Sequence, residues 1–286
     1  MMIKFFLSII LFISTIVIAA PLQIILPYAP GGGTEVTARR FQKFLSEKKN
    51  IESIIMYKPG AEGIVGTIDI SKSPADGSVI GITATMAVIE TQAKGNDVEL
   101  ISMLEIPTLL LVSSVDSKIK NFQDLKKQNN INFGVGSDPQ KKSIEQLITL
   151  LNKQNSITVT YKGGGPVLND LLGGHIDVAF LPAPIVLPLI ESKHLTLLAS
   201  TATLNKKYKN WINYAGYCLI LPKDSTDTNK KFWTLVVKEY LNDNDVHKDI
   251  ISNLGTVPPS GNEFLKQSIK NMVRWQSGPM RGTANP

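Results

Sequence analysis

Short aliphatic and β-branched runs alternate with amphipathic segments along almost the whole chain, and this alternation limits the folds that it can adopt. Strands are expected at Gln23–Leu26, Ser53–Tyr57, Val79–Thr83, Thr108–Val112, Ile131–Val135, Ile157–Tyr161, Asp177–Phe180, Leu195–Ala199 and Tyr217–Leu221. Helices are expected at Thr34–Glu47, Ile64–Ser71, Phe122–Gln128, Lys141–Lys153, Pro166–Leu172, Ile185–Glu191, Thr228–Asn242, Val246–Leu254 and Asn262–Trp275. Such alternation is typical of mostly parallel sheets with helices on both faces. We therefore predict an α/β fold.

Two polar stretches interrupt the alternation and suggest two lobes. Ser113–Ser117 follows a strongly apolar strand, and Thr, Asn and Lys accumulate between Ser200 and Tyr217. A middle domain inserted into a discontinuous first domain explains both stretches. We predict that residues 21–116 and 216–286 form the first lobe, that residues 117–215 form the second, and that the polar stretches are hinges.

The first twenty residues have the layout of a secretory signal peptide. Lys4 precedes an apolar core from Phe5 to Ile18, and the small residues Ala19 and Ala20 follow it. This core is shorter than the roughly 20 apolar residues of a membrane-spanning helix. We predict that residues 1–20 are removed during export. An uncleaved amino-terminal anchor is the alternative.

A glycine turn joins the first strand to the first helix. The strand Gln23–Leu26 is followed by Gly31, Gly32 and Gly33, and the helix pattern begins at Thr34. A helix start leaves backbone N–H groups unpaired, and these donors together with the helix dipole suit a carboxylate or phosphate. Glycine lets a ligand approach the backbone closely. The segment is therefore either an anion-binding turn or a plain connection.

A second glycine turn occurs in the middle of the chain. Tyr161–Pro166 follows the strand that ends near Thr160 and leads into a helix. Proline is favourable at the first helical position because its missing N–H costs nothing there. Each predicted lobe thus carries one strand–glycine–helix turn, and two such turns across a cleft could hold a ligand with two acidic ends.

Composition and motifs argue against several function classes. The formal net charge is +6, but the lysines are scattered and form no basic stripe with aromatic residues, so nucleic acid is not an expected partner. His175, His194 and His247 show no metal spacing, and no nucleotide-binding P-loop motif follows the first glycine run. The single cysteine, Cys218, is predicted to be a buried strand residue. We expect no metal, no cofactor and no catalytic residues.

Several motifs occur in the order that is found in one protein family. They are PYAPGGGTEVTAR at Pro27–Arg39, KPGAEG at Lys58–Gly63, SPADG at Ser73–Gly77, YKGGGP at Tyr161–Pro166, DLLGG at Asp170–Gly174 and GTVPPSGNEF at Gly255–Phe264. With them the chain resembles the substrate-binding receptors of tripartite tricarboxylate transporters, also called Bug-type periplasmic binding proteins. The resemblance covers nearly the whole chain after the signal peptide.

The resemblance implies a two-lobed, type II Venus-flytrap fold that closes on a small organic carboxylate in the cleft. It also implies a periplasmic, monomeric receptor that delivers this ligand to membrane permease subunits. Two other functions stay open: a periplasmic sensor that signals to a membrane kinase, and an exported hydrolase. The hydrolase would turn over an ester or amide, which a receptor does not do.

The resemblance also implies which residues contact the ligand. The predicted contacts are Tyr28, Pro30, Gly31, Gly32, Gly33, Thr34, Glu35, Thr83, Thr85, Gly136, Ser137, Tyr161, Gly163, Gly164, Gly165 and Pro166.

The chain departs from the family pattern at positions that bear on the ligand. The family usually has Asp at position 35, where this chain has Glu35. Its carboxylate either stabilises the positive start of its own helix or meets an ammonium group of the ligand. The loop from Gly136 to Lys142 replaces a Gly/Ser-rich family turn, and Leu181 and Pro182 replace polar residues. These departures leave the identity of the acid open.

Overall fold

The computed structural model of the protein describes residues 21–208 and 216–277. The strands are β1 (Leu22–Leu26), β2 (Ser53–Tyr57), β3 (Val79–Ala84), β4 (Glu99–Glu105), β5 (Leu109–Ser114), β6 (Asn132–Val135), β7 (Ile157–Thr160), β8 (Val178–Pro182), β9 (Leu195–Ser200) and β10 (Tyr217–Leu221). The helices are α1 (Gly33–Lys49), α2 (Ile64–Ser71), α3 (Thr85–Ala93), α4 (Phe122–Lys127), α5 (Asp138–Leu150), α6 (Gly164–Leu172), α7 (Ala183–Glu191), α8 (Thr201–Lys207), α9 (Asp227–Asn242), α10 (Asn244–Ser252) and α11 (Asn262–Ser277). A 3-10 turn, Ala61–Gly63, precedes α2.

The strands form two five-stranded sheets with the same arrangement. The first has the order β2-β1-β3-β10-β4 and the second the order β7-β6-β8-β5-β9. In each sheet one strand, β10 or β5, runs antiparallel to its two neighbours, and the other observed pairs are parallel. The prediction of an α/β fold with mostly parallel sheets is confirmed.

Each sheet is buried on both faces, which explains why its central strands are almost wholly apolar. Ile24 of β1 packs into the cluster around Phe41 of α1, whereas its neighbour Ile25 points to the opposite face and packs with Cys218. Side chains of a strand alternate between faces, so two consecutive isoleucines supply two separate cores. Cys218 is fully buried in β10 as predicted, and burial raises the pKa of its thiol to about 12.

The chain crosses between the sheets earlier than predicted. β4 ends at Glu105 in the first sheet and β5 begins at Leu109 in the second, so the crossing is 106–108. Ser113–Ser117 is therefore not the crossing, because its first two residues still pair within the second sheet. The return lies between α8 and β10 and includes residues 209–215, which are outside the described residues, as is the predicted signal peptide.

A buried ion pair ties α1 to the first crossing. Glu105, the last residue of β4, is fully buried, and its Oε2 accepts hydrogen bonds from Thr37 Oγ1 and Arg40 Nη1, both at 2.7 Å. Arg40 also pairs with Asp249 of α10. Next to Glu105, Ile106 forms an isolated bridge with Thr256. The position of α1 is thus fixed relative to the segment that links the sheets.

Most predicted elements are present, with ends shifted by a few residues. Three elements were missed, namely β4, α3 and α8. The second glycine turn also differs from the prediction, since α6 begins at Gly164 and Pro166 is its third residue. No helix within the described residues is both long and apolar enough to cross a membrane.

Candidate functional site

The two sheets face each other with the edges at which their parallel strands end. The carboxyl ends of β1, β3, β6, β7 and β8 meet around a cavity of about 60 Å³ between the lobes. Ligands of open α/β sheets bind outside the carboxyl ends of the strands, where loops lead into helices. The cavity is lined by Tyr28, Gly32, Gly33, Thr34, Ala84, Gly136, Ser137, Gln140, Gly163, Gly164, Leu181, Pro182, Ile185 and Tyr217.

The N-cap residues of five helices line this cavity, namely Gly32 for α1, Ala84 for α3, Ser137 for α5, Gly163 for α6 and Pro182 for α7. None of them caps its helix with its own side chain, but the first N–H groups of α3, α5 and α7 are accepted by Gly216, Glu62 and Thr108. Serine is a favourable N-cap residue, yet the Ser137 hydroxyl makes no capping hydrogen bond. Each helix start carries about half a positive charge, because its first N–H groups have no intrahelical partner. The starts of α1 and α6, whose first N–H groups no described residue accepts, make the cavity suited to an anion.

Backbone donors are available where α1 and α6 start. Within the described residues, no protein acceptor takes the N–H groups of Gly33, Thr34 or Gly164. Buried backbone N–H groups are almost always paired, so unpaired donors beside a cavity indicate a place for a ligand or water.

Glycine is required at Gly33 and at Gly163, for different reasons. A Cβ on Gly33 would lie 2.3 Å from the Tyr217 hydroxyl oxygen and 3.0 Å from Pro182 of the other lobe. Gly163 has a φ of +109°, which residues with a side chain rarely adopt. Gly33 therefore permits close approach of the lobes, and Gly163 permits the turn that starts α6.

The two triglycine turns, one in each lobe, are not equivalent by topology. The strand orders make β6 the counterpart of β1 and β7 the counterpart of β2. The counterpart of the first turn is thus the short turn at Gly136 and Ser137, while Tyr161–Gly165 corresponds to Lys58–Gly63. The turns still converge, because all the strands concerned end at the cleft.

Three predicted contact residues join the lobes directly and do not line the cavity. A Cβ on Gly165 would lie 3.1 Å from the carbonyl oxygen of Pro30, and one on Gly31 would lie 3.7 Å from Gly165 Cα. The rims of the two glycine turns therefore pack backbone against backbone.

Glu35 also lies outside the cavity lining and is occupied within its own lobe. Its Oε2 accepts the Gly31 N–H at 2.6 Å, and its Oε1 accepts hydrogen bonds from Tyr57 and Arg39 at 2.6 and 2.7 Å. Burial alone raises the pKa of Glu35, but the hydrogen bonds from Tyr57, Gly31 and Arg39 outweigh it and lower the pKa below its ordinary value. The arrangement favours the role at the helix start over contact with an ammonium group.

Four other predicted contacts do not line the cavity either. The Thr83 hydroxyl lies 3.4 Å from that of Thr67 in the core, and the Thr85 hydroxyl donates to the carbonyl of Gly216 at 2.8 Å. Tyr161 donates to Asp170 of α6 at 2.6 Å, and burial together with this bond raises the pKa of Tyr161 to about 12. Pro166 lies inside the first turn of α6. A binding role for these residues stays a prediction.

Six lining residues were not predicted. They are Ala84, Gln140, Leu181, Pro182, Ile185 and Tyr217. Four of them form an apolar wall, and the other two add polar atoms. No charged side chain lines the cavity among the residues that the structure describes, and no cluster there could hold a metal ion.

One carboxylate links the lobes beside the cavity. Glu62, on the 3-10 turn of the first lobe, accepts the N–H of Asp138 of α5 at 2.9 Å. Burial raises the pKa of Glu62 to about 7, and the negative charges of Asp138 and Glu90 act in the same direction. Ala61 and Glu62 both have positive φ, so the backbone that presents this carboxylate is strained.

A larger hollow of about 560 Å³ lies on the outer surface between α1 and α9. Its lining includes Lys48 and Lys238 but also Glu239 and Asp243, and it lies at the carboxyl ends of both helices. Helix carboxyl ends are partly negative and disfavour anions. The inter-lobe cavity is therefore the better candidate site.

Comparisons with known proteins agree with this geometry. Residues 37–209, more than half of the chain, match the family model described as "Tripartite tricarboxylate transporter family receptor". The protein BugT of Bordetella pertussis is 28% identical over 196 residues, which is 63% of this chain and 60% of BugT. The chain thus spans between half and three fifths of the curated relatives that it matches.

Solved structures show the same fold. The periplasmic binding protein BugD matches with a TM-score of 0.79 at 20% identity, over 89% of this chain and 94% of BugD. An R. palustris protein with adipate matches with a TM-score of 0.79 at 19% identity, over 90% and 95% of the two chains. The predicted two-lobed periplasmic-binding-protein fold is confirmed. Since the family model covers most of the second lobe and part of the first, the chain belongs to the tripartite tricarboxylate transporter receptor family.

Proposed function

We propose that this protein is a periplasmic receptor that captures a small organic carboxylate between its lobes and delivers it to membrane permease subunits. The observation that carries the proposal is the convergence of the starts of α1, α5 and α6 on one inter-lobe cavity, where the first N–H groups of α1 and α6 have no acceptor among the described residues. Main-chain N–H groups and hydroxyls are suitable donors to carboxylate oxygens and stay protonated at every physiological pH.

The lining narrows the class of acid. A zwitterionic amino acid would need a carboxylate near its ammonium group, but Glu35 is bound by Gly31, Tyr57 and Arg39. The wall formed by Ala84, Leu181, Pro182 and Ile185 suits a hydrocarbon segment. We therefore propose an acid without an ammonium group, and the adipate in the R. palustris relative is of this chemical class.

The position of the cavity between the lobes implies that the lobes move. Residues of both lobes line the cavity, so separation of the lobes would open it to an acid and closure would surround the acid. We propose that the lobes rotate about the crossing 106–108, as in other hinge closures around ligands.

The location and delivery steps rest on other observations. The signal-peptide pattern of the first twenty residues supports export. Membership of the receptor family supports coupling to a tripartite transporter. The permease subunits are separate proteins, and the receptor acts as a monomer in this proposal.

A thermal-shift screen of the chain from residue 21 tests the proposed ligand class. The panel contains succinate, malate, adipate, citrate, benzoate and aspartate. At about 100 times Kd an acid stabilises the folded state by about 2.7 kcal/mol, which raises Tm by about 5–10 °C for a chain of this size. We expect a shift with at least one di- or tricarboxylate and none with aspartate.

Three results would contradict the proposal. One is a shift with aspartate alone, since that requires an anionic contact for its ammonium group. Another is turnover of an ester or amide substrate, which would indicate the hydrolase. The third is a panel without any shift, which would count against carboxylate capture.

A further inference from the structure

The side chain of Gln140 is held in the wall of the cavity. It is the third residue of α5 and only 5% exposed. Its Oε1 accepts the N–H of Gly136 at 2.7 Å. Since a backbone N–H can only donate, this bond fixes which end of the amide is oxygen and which is nitrogen. The Nε2 group is thereby turned away from Gly136.

Glu35 occupies the equivalent position in the first lobe. It is the third residue of α1, and its Oε2 accepts the N–H of Gly31, just as Gln140 accepts that of Gly136. The strand orders place β1 and β6 in equivalent positions, so the two helices that follow them are equivalent too. Both side chains reach back to the residue before the N-cap, as a capping-box residue reaches back towards the start of its helix.

The second terminal atoms of the two side chains differ. Oε1 of Glu35 is bound by Tyr57 and Arg39 within the lobe. Nε2 of Gln140 has no protein acceptor among the described residues. Unlike the buried side-chain atoms that lack a partner, it can be reached by solvent. It therefore opens onto the cavity that the residue lines. A buried amide with two unused N–H donors calls for an acceptor.

We propose that Gln140 donates a hydrogen bond from Nε2 to a carboxylate oxygen of the bound acid. The inference rests on the proposed function and adds one side-chain donor to the helix starts. The donor is neutral, so it recognises the carboxylate without a buried counter-charge, and it discriminates against ligands that offer only donors at this end.

The variants Gln140→Glu and Gln140→Leu test the contact. The glutamate keeps an oxygen for the Gly136 N–H but places a negative charge where Nε2 was, whereas leucine removes both polar atoms. Gln154→Glu makes the same chemical change at an exposed position outside the cavity lining. Affinity is measured by calorimetry with the dicarboxylate from succinate, malate and adipate that binds the wild type most tightly.

At pH 7.5 we expect Gln140→Leu to weaken binding about 10- to 100-fold, the range for a lost hydrogen bond to a charged group. Gln140→Glu should weaken binding further. Its loss of affinity relative to wild type should shrink towards pH 5, because a protonated carboxyl can donate a hydrogen bond. Gln154→Glu stays within about twofold of wild type.

Wild-type affinity in Gln140→Glu at pH 7.5 would overturn the contact while leaving the proposed function intact. A deficit of Gln140→Glu that does not change with pH would also overturn it, since a purely structural effect has no reason to follow protonation. If no acid of the thermal-shift panel binds the wild-type protein, the proposed function fails, and this inference fails with it.

Discussion

Closure of the lobes is predicted to take up a proton at Glu62. The carboxylate of the first lobe accepts the Asp138 N–H of the second, and this contact exists only when the lobes meet. With the lobes together, burial and the charges of Asp138 on α5 and Glu90 on α3 raise the pKa of Glu62 from 4.5 to about 7. Lys141, a cation on the same helix as Asp138, pairs with Glu145, 3.9 Å away, and not with Glu62.

The sign of the effect follows from linkage. When the lobes separate, Glu62 returns to its ordinary pKa, so the closed arrangement binds the proton more tightly than the open one. The closed arrangement is therefore favoured most at pH below 4.5, and this advantage is lost as the pH rises through about 7. Because ligand capture requires closure, affinity should be higher at pH 6 than at pH 8.

The change in affinity between pH 8 and pH 6 can be bounded. The full rise in pKa corresponds to about tenfold in affinity between pH 8 and pH 6. Glu62 is only partly buried, and solvent screening weakens such interactions, so we expect between about twofold and tenfold. The variant Glu62→Gln keeps an oxygen for the Asp138 N–H but cannot titrate. It should bind equally well at both pH values and more tightly than wild type at either, because its closure needs no proton uptake.

Calorimetric titration at constant ionic strength measures the affinity at pH 6 and at pH 8, with an acid that stays ionised at both values. Glu47→Gln, an exposed change on α1, is the control and should keep the wild-type pH dependence. The reasoning is refuted if the wild-type affinity is the same at pH 6 and pH 8, or if Glu62→Gln keeps the wild-type slope.

Three further changes separate closure, stability and local structure. Gly165→Val should lower affinity at least about tenfold with little change in the Tm of the unliganded protein, because its Cβ would lie 3.1 Å from the Pro30 oxygen of the other lobe. Glu105→Ala should lower the free energy of unfolding in urea by about 3–5 kcal/mol, because Arg40 then loses its fully buried partner. Tyr161→Phe should lower it by about 1 kcal/mol and leave affinity unchanged, because the hydroxyl donates to a carboxylate of α6.

A different outcome would contradict each of these three predictions. Asn169→Val, exposed on the same helix as Gly165, should not change affinity, and an equal loss in both variants would point to a helix effect. Unfolding of Glu105→Ala at the wild-type urea midpoint would show that the buried pair contributes nothing. A large loss of affinity in Tyr161→Phe would restore that residue to the predicted site.

The elements were largely predictable because strand and helix periodicities are local properties. The missed elements have physical reasons. The apolar residues of α3 continue directly from β3, and a short apolar run does not distinguish helix from strand. β4 is completed by pairing with β10, which lies far along the chain, so its place in the first sheet is a long-range property.

The site was predictable only in part. The glycine turns mark where helices begin, and half of the predicted contact residues do line the cavity. The chain pattern could not show that Glu35 would be bound by Tyr57 and Arg39, because Tyr57 comes from another strand. It could not show Tyr217 or Gln140 at the cavity either, since one arrives by the return crossing and the other depends on the Gly136 turn.

A crystal structure of the protein with the dicarboxylate that binds it most tightly tests the central claim most directly. We expect one carboxylate to accept hydrogen bonds from the main-chain N–H groups at the starts of α1 and α6, with donor–acceptor distances of about 2.7–3.1 Å. An acid bound in the outer hollow between α1 and α9, with the helix starts making no contact to it, would contradict the account.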